Sequence, residues 1–380
     1  MYMGKDITGL TRTAVSLLRK MVSIPSPSFK EGEVSNAVSD FLSESGIAFT
    51  RQKNNIIAIR PDYSPEKRTL MLCAHLDTVN PADDYTFNPY APDYDEIGMR
   101  REWLESIGVL SSDEIVAGLG ANDDGASAVS MTAAFRYFYN TALPFNLMLV
   151  LGTEEERSGR DGMEAVWTWL EENGRTPEWA IVGEPTGMKA ATAERGLLVI
   201  DGTATGVSGH AARNEGVNAL YIAIDDIQRM RAARFSKVSP VMGEVKLTVT
   251  QINAGTAHNV VPDKCTFVVD IRPTEQYSNA EILEILRKEC RSSLEARNLR
   301  NRSSGTRPGS PLLECADKLG IATFVSPTTS DWMRIGCDAV KMGPGDSARS
   351  HHRDEYVTVN EIRDGIEKYI DFITEFGNFI

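Results

Sequence analysis

Apolar side chains recur at two different spacings along the first half of the chain. Stretches with helical spacing predict four amphipathic helices, at residues 8–22, 31–46, 126–140 and 162–174. Short apolar runs between them predict four strands, at residues 55–60, 69–75, 146–152 and 179–185. Strands that alternate with helices are typical of a largely parallel α/β sheet covered on both faces, and the almost wholly apolar run 69–75 predicts a central strand.

The pattern changes after Pro185. Apolar and polar residues now alternate, as half-exposed strands require, at residues 196–209, 243–255 and 264–273. Two stretches of helical spacing accompany them, at 215–233 and 279–297. Two helices on one antiparallel sheet predict a compact α+β domain over residues 189–302. The alternation of strands and helices then returns and ends with a predicted helix at 359–376. We therefore expect residues 1–188 and 303–380 to form one domain into which the other is inserted.

Length and charge narrow the function classes. A chain of 380 residues is long for one hydrophobic core. Its formal net charge is −13, from 40 basic and 53 acidic side chains, which argues against a nucleic-acid partner. No apolar run has the length of a membrane span, and no secretory signal pattern is visible at the beginning of the chain. The five cysteines have no metal-type spacing, so a reducing cytoplasm is expected.

Acids and histidines follow the predicted strands. The stretch "LVLGTEEERSG" runs from a strand into Glu154, Glu155 and Glu156, while His75 and Glu184 end or follow two others. The carboxyl ends of parallel strands share one edge of a sheet, where ligands bind. Like charges crowd there only around a cation, and imidazole with carboxylates suits zinc or a similar ion.

Each feature taken alone has a structural reading. A histidine at a strand end is usually structural, a run of glutamates is usually a solvated turn, and Asp123–Asp124 before a helix is typical of a cap. Their joint occurrence at strand ends favours metal binding. Three carboxylates beside two divalent ions leave about one positive charge, which a hydroxide would neutralise, so two ions are expected.

The motifs "HLDTV", "GANDDGAS", "EEERSGRDGM", "GEPTG", "GVSGHAA", "NVVPD", "DIRP" and "GPG…SHHRDEY" occur in the order of the M20 metallopeptidases and deacylases. The chain resembles that family over nearly its whole length. The resemblance implies a zinc-peptidase-like catalytic domain with a mostly parallel sheet, plus an inserted α+β lid and dimerisation domain. It implies two divalent ions, zinc first, with cobalt or manganese as alternatives.

The resemblance also implies the site residues. The implied metal ligands are His75, Asp123, Glu156, Glu184 and His351. Asp77 is implied to orient the His75 ring, and Glu155 to be the general base that deprotonates a metal-bridging water for attack on the amide. A register shifted by one residue would move the two glutamate roles to Glu154 and Glu155. In the doublet His351–His352, the family pattern favours His351.

In the inserted domain the resemblance implies three further residues. His210 is similar to a histidine that stabilises the oxyanion, often across a dimer. Asn259 and Arg272 are similar to residues that hold the oxyanion region and a substrate α-carboxylate. A homodimer through this domain is implied.

The activity implied is deacylation of an N-acyl-L-amino acid, of the N-acetyl- or N-succinyl-ornithine or -citrulline type used in arginine biosynthesis. The alternatives are a dipeptidase or aminopeptidase with the same metals, or a succinyl-diaminopimelate desuccinylase. A protein that binds metal without turnover is disfavoured because the base and all five ligands are present.

One departure from the family pattern lies between His75 and Asp123, which are further apart in sequence than the resemblance leads us to expect. The extra residues, at about 93–112, predict a local helix near the mouth of the cleft. Such a segment would cover the site, shape substrate choice, contact another subunit, or be a surface elaboration without a role.

Overall fold

The computed structural model describes residues 6–92, 101–108, 114–213 and 215–380. The chain divides into two compact units. The first comprises Met1–Thr192, Thr306–Phe324 and Ser330–Ile380, and the second comprises Ala193–Gly305 and Val325–Thr329. Within the described residues, no helix is both long enough and apolar enough to cross a membrane.

The helices are α1 (Ile7–Val22), α2 (Gly32–Glu44), α3 (Arg101–Ser106), α4 (Ala126–Phe138), α5 (Met163–Glu172), α6 (Ala219–Ala232), α7 (Asn279–Glu289), α8 (Pro311–Lys318) and α9 (Val359–Phe376). The strands are β1 (Phe49–Gln52), β2 (Asn55–Ile59), β3 (Thr69–His75), β4 (Ile115–Ala117), β5 (Asn146–Gly152), β6 (Trp179–Val182), β7 (Ala190–Glu194), β8 (Leu198–Thr205), β9 (Gly209–His210), β10 (Lys246–Ala254), β11 (Val260–Val261), β12 (Lys264–Arg272), β13 (Ser293–Ala296), β14 (Ser304–Gly305), β15 (Thr323–Ser326), β16 (Asp338–Lys341) and β17 (Tyr356–Thr358).

The central sheet of the first unit has a parallel middle. Its strands follow the order β1-β2-β5-β3-β6-β16-β7. The neighbours β5, β3, β6 and β16 are parallel, whereas β1, β2 and β7 join antiparallel at the two sides. The predicted α/β class with a mostly parallel sheet is therefore confirmed, and β3 lies between β5 and β6 as a central strand.

Both faces of this sheet are buried, which explains the continuous apolar run in β3. Successive side chains of a strand point to opposite faces. Leu70 and Leu72 pack in one core with residues of α1, α4 and α9. Met71 and Cys73 pack in a second core with residues of α5. A strand covered on both faces has no position left for a polar side chain, so its apolar pattern loses the usual alternation.

The second unit is an antiparallel sheet with two helices. Its strands follow the order β10-β12-β8-β13. Burial alternates along β8 and β12, and the buried side chains form a core with Ile222 of α6 and with Ile282 and Leu286 of α7. One exposed face and one buried face account for the alternating pattern seen in the sequence.

The helix predicted over 279–297 is wrong in its second half. α7 ends at Glu289, and residues 293–296 form β13, which pairs with β8. The buried carboxylate of Asp226 accepts hydrogen bonds from the backbone N–H groups of Arg291 and Ser292 and from the Ser292 hydroxyl, at 2.6–3.1 Å. These bonds hold the chain out of the helix, and Leu294 is then buried from a strand.

Part of the extra segment is helical. α3 occupies residues 101–106, whereas residues 93–100 and 109–112 of the predicted helix region lie outside the described residues. Trp103 of α3 contacts Phe87 and Tyr356, with ring centroids 5.8 and 5.5 Å apart. The helix thus packs on β17, immediately after the loop that carries His351.

Candidate metal centre

The carboxyl ends of the parallel strands place ionisable side chains at one edge of the first unit. His75 is the last residue of β3, and Glu184 follows β6 by two positions. Glu155 and Glu156 lie in a short helical turn after β5. The edge of the sheet therefore holds an imidazole and several carboxylates, as the strand order requires.

Asp123 reaches the same edge from a tight turn before α4. The turn starts at Gly120, whose φ of 78° is readily adopted only by glycine. The peptide bond between Asp123 and Asp124 is cis. The backbone N–H groups of Asn122 and Asp123 both donate to Glu355 Oε1, each at 2.9 Å. A buried carboxylate thus fixes the turn that presents Asp123.

Three groups of three potential ligand atoms result, each with all atoms within 4.8 Å of one another. The groups are His75–Asp123–Glu184, Asp123–Glu156–His351 and His75–Glu155–Glu156. The first two share Asp123. All five residues expected as metal ligands therefore lie in one cluster, and Glu155 lies beside them.

The two histidines are held in different ways. His75 is buried, and its Nε2 lies 3.2 Å from Asp123 Oδ1. Its Nδ1 lies 2.9 Å from the backbone carbonyl of Asp77 and 3.5 Å from the Asp77 carboxylate. A bond from Nδ1–H to a carbonyl leaves Nε2 to face the cluster with its lone pair. His351, which is exposed, places Nε2 3.0 Å from Glu156.

The Asp77 carboxylate also holds the turn that contains Glu155 and Glu156. It accepts hydrogen bonds from the backbone N–H groups of Glu155 and Glu156, at 3.0 and 3.1 Å, and from the Ser28 hydroxyl at 2.7 Å. Asp77 therefore orients His75 mainly through its backbone oxygen, and its side chain fixes the glutamate turn. Sequence reasoning assigned only the ring contact.

Glu154 points elsewhere. Its Oε2 accepts a hydrogen bond from the backbone N–H of Asp161 at 3.0 Å, and its own N–H donates to Glu31. Glu154 belongs to none of the three ligand groups found among the described residues. His352 is likewise outside these groups. The geometry thus favours Glu155 with Glu156, and His351 of the doublet.

The electrostatics of the cluster favour a cation. Burial and the neighbouring Asp123 raise the pKa of Glu184 well above its usual range, and burial with Glu156 and Glu184 does the same to the pKa of Glu155. Burial also raises the pKa of Asp124 to about 8 and, with Asp123, that of Glu355 to about 8. Carboxyl groups crowded in this way ionise together only beside positive charge. The donor set of imidazole and carboxylate oxygens fits a zinc-like divalent ion.

Two residues of this centre, Glu355 and Asp124, were not predicted from the sequence. Glu355 served only to set the register of the histidine motif, yet it holds the Asp123 turn. Asp124 was taken as variable, but it is buried and its Oδ2 lies 3.4 Å from the backbone nitrogen of His75. Only tertiary structure reveals these contacts, because the partners are far apart in sequence.

The three remaining predicted residues lie in the second unit. His210 is exposed in β9, and its Nδ1 accepts a hydrogen bond from the Ala212 N–H at 3.2 Å. The carbonyl of Asn259 accepts one from the Ala211 N–H at 3.1 Å. Arg272, at the end of β12, forms a two-pronged pair with Asp270 at 2.8 and 3.0 Å.

The chain is similar to known peptidases and deacylases. Residues 192–298 match the M20-type peptidase dimerisation domain, and residues 55–175 match peptidase family M28. A succinyl-diaminopimelate desuccinylase from Corynebacterium glutamicum is 27% identical over 384 residues, with 95% of each chain covered. An acetylornithine deacetylase from Myxococcus xanthus is 27% identical over 343 residues, covering 85% of this chain and 83% of the relative.

A solved M20 metallo-carboxypeptidase from Sulfolobus solfataricus shares the fold, with a TM-score of 0.73 at 14% identity and coverage of 96% of this chain and 99% of the other. Fold, ligand cluster and relatives together define a metal-dependent hydrolase of linear amides. The chain is similar to the M20 metallopeptidases and deacylases in sequence and in fold.

Proposed function

We propose that the protein is a two-metal deacylase of N-acyl-L-amino acids. The observation that carries the proposal is that two ligand groups, His75–Asp123–Glu184 and Asp123–Glu156–His351, share the carboxylate of Asp123. A shared carboxylate is the arrangement that two neighbouring ions need. Zinc suits this donor set best, and cobalt or manganese would also fit.

Two bound divalent ions would polarise the amide carbonyl and supply an activated water at neutral pH. Glu155 would act as the general base; its grouping with His75 and Glu156, outside the two groups that share Asp123, supports this role. Glu155 would take a proton from the attacking water and pass it to the departing amine nitrogen. The Asp77 carboxylate holds Glu155 by accepting a hydrogen bond from the Glu155 backbone N–H.

The second unit contributes dimerisation and substrate contacts in this proposal. Its match to a peptidase dimerisation domain supports a homodimer. His210 would stabilise the oxyanion, and Asn259 and Arg272 would hold the oxyanion region and the substrate α-carboxylate. His210 is exposed and so available to a substrate or to a second subunit.

The substrate we favour is an N-acetyl- or N-succinyl-ornithine or -citrulline, as in arginine biosynthesis. The Myxococcus deacetylase among the relatives supports the acetylornithine reading. The Corynebacterium desuccinylase favours a second candidate, hydrolysis of succinyl-diaminopimelate. All five cysteines are free thiols, which suits the reducing cytoplasm where such reactions take place.

The test is a set of rate measurements on zinc- and cobalt-loaded protein beside Glu155→Ala. The substrates are N-acetyl- and N-succinyl-ornithine and -citrulline, succinyl-diaminopimelate, N-acetyl-methionine and several dipeptides. Amine release from an N-acyl amino acid that the substitution abolishes would support the proposal. Turnover of dipeptides alone would replace it with a peptidase.

A further inference from the structure

We propose that a pocket beside Glu156 binds a carboxylate of the substrate through Lys30 and Arg157. The pocket has a volume of about 260 Å³ and is lined by residues 27–30, 78–80, 156 and 157. It therefore adjoins the Asp123–Glu156–His351 group directly. The inference rests on the proposed function and narrows its substrate class.

The charges in this pocket favour an anion. Lys30 and Arg157 are exposed, and within the described residues neither side chain forms an ion pair or a hydrogen bond. Glu156 is the only acid in the lining, and its carboxylate faces His351 at 3.0 Å. Two cations thus face the pocket without a partner in a chain whose net charge is −13.

The backbone that carries these cations is anchored to the metal centre. The Ser28 hydroxyl donates to Asp77 Oδ2 at 2.7 Å, and the Ser28 N–H donates to the Thr78 carbonyl at 3.2 Å. The turn that ends at Arg157 is held by the bonds from Glu155 and Glu156 to the same Asp77 carboxylate. The backbone next to both cations is therefore tied to Asp77, which lowers the part of the entropic cost of binding that comes from ordering these loops.

Phe29 adds an apolar surface to the lining. Its side chain is 58% exposed, and its φ of 74° is unusual for a bulky residue. The Phe29 N–H donates to Glu31 Oε1 at 2.6 Å, which maintains this conformation. A cationic pair next to an exposed ring suits a short methylene chain that ends in a carboxylate, and the arginine fork matches a carboxylate in two hydrogen bonds.

The substrate carboxylate has two possible sources. It belongs either to the acyl group, as in the monoamide of a dicarboxylic acid, or to the side chain of the amino acid. Two matched pairs separate them: N-succinyl-ornithine with N-butanoyl-ornithine, and N-acetyl-glutamate with N-acetyl-glutamine. Within each pair only the distal carboxylate changes, to a methyl group in the first pair and to a carboxamide of the same shape in the second.

The experiment compares Arg157→Gln, Lys30→Gln and the double variant with Arg160→Gln, an exposed neighbour outside the pocket lining. We expect Arg157→Gln to lower kcat/KM about tenfold or more for the carboxylate member of one pair, mainly through KM, and to change the neutral member less than about twofold. Arg160→Gln should behave like wild type. The affected pair identifies the source of the carboxylate.

A binding measurement keeps the two proposals separable. Calorimetry on the full-length, metal-loaded protein should give tighter binding of succinate or glutarate than of butanoate, and Arg157→Gln should remove the difference. If neither substrate pair responds and the dicarboxylates bind no tighter, the pocket proposal is overturned while deacylation stands. If no N-acyl amino acid is hydrolysed, the proposed function fails, and the calorimetry alone decides about the pocket.

Discussion

Glu355 accepts a hydrogen bond from the backbone N–H of Asp123 at 2.9 Å, although the two residues are 232 positions apart. The same oxygen accepts from Asn122. The loop that follows His351 therefore holds the turn of Asp123, so that these two predicted ligands are linked through one buried carboxyl group. Its raised pKa, about 8, favours a neutral carboxyl that still accepts both bonds.

Substitution of Glu355 tests this coupling. Glu355→Ala removes the acceptor and leaves two buried N–H groups unsatisfied, so metal affinity should fall about 10- to 100-fold. Glu355→Gln keeps an acceptor oxygen and should stay within about threefold of wild type. Titration with a competing chelator measures both. Equal losses in the two variants would mean that the charge of Glu355, not its hydrogen bonds, matters.

The histidine doublet offers a matched comparison. His351 lies 3.0 Å from Glu156, whereas His352 belongs to none of the ligand groups within the described residues. His351→Ala should therefore lower the bound metal from two equivalents to one, and His352→Ala should keep both. Elemental analysis after dialysis gives the stoichiometry. Loss of metal in His352→Ala alone would contradict this assignment.

Substitutions in the run Glu154–Glu156 distinguish the roles of neighbouring glutamates in the same way. Glu155→Gln should lower kcat by about 10²- to 10⁴-fold, the usual contribution of a general base, and should leave metal content unchanged. Glu154→Gln should change kcat only a few-fold, because the Glu154 carboxylate accepts a hydrogen bond from the Asp161 backbone N–H and does not face the cluster. The reverse result would establish the register shifted by one residue.

The helix of the extra segment is expected to support the His351 loop. Trp103 packs edge-to-face on Tyr356, and Arg349 lies over the same tyrosine ring at 4.3 Å. Trp103→Ala should weaken binding of the second metal equivalent more than the first, while Trp103→Phe should retain most of the affinity. Equal effects on both equivalents would indicate general destabilisation instead.

Asp226 predicts acid sensitivity of the second unit. Burial opposes ionisation, but hydrogen bonds from Ser292 and the backbone of residues 291 and 292, together with Arg229, hold the pKa of Asp226 below its usual value. A folded pKa below the unfolded one gives stability that is complete above the unfolded pKa, about 3.9, and is lost as the pH falls through and below it.

Asp226→Asn should therefore lower the free energy of unfolding at pH 7 by about 3 kcal/mol and flatten its decline toward pH 3. Asp225→Asn, at the exposed neighbouring position, should do neither. Urea denaturation at several pH values, followed by fluorescence and circular dichroism, measures the effect. An unchanged pH slope in Asp226→Asn would contradict it.

Local patterns predicted most of the elements. β3 and α9 have the predicted bounds because each carries an uninterrupted apolar pattern, and α9 also begins with a capping box of Thr358 and Glu361. β13 was missed because the strand depends on Asp226, 66 positions before Ser292. The short strands β4 and β17 were also missed, since each has three residues and forms only by pairing with the other.

The residues of the candidate site were predicted from their positions at strand ends and from a family resemblance. The contacts that support them were not predicted. The ligands are chemically distinctive residue types at positions that the strand order brings together. Glu355, Asp124 and Ser28 are common polar residues whose importance lies in a single distant partner. Such partners become visible only when the chain is folded.

The way the chain enters and leaves the second unit has a practical consequence. The Thr306 N–H donates to the Thr192 carbonyl at 2.9 Å, and Ala193 pairs with Gly305 in one ladder. The two ends of the segment 193–305 are thus adjacent, and a separate polypeptide of the second unit would need this segment together with residues 325–329. The remaining chain needs only a short linker to close the gap. Adjacent ends of this kind tolerate exchange of a module by recombination, and the parallel strands β5, β3, β6 and β16 lie wholly outside the exchanged segment.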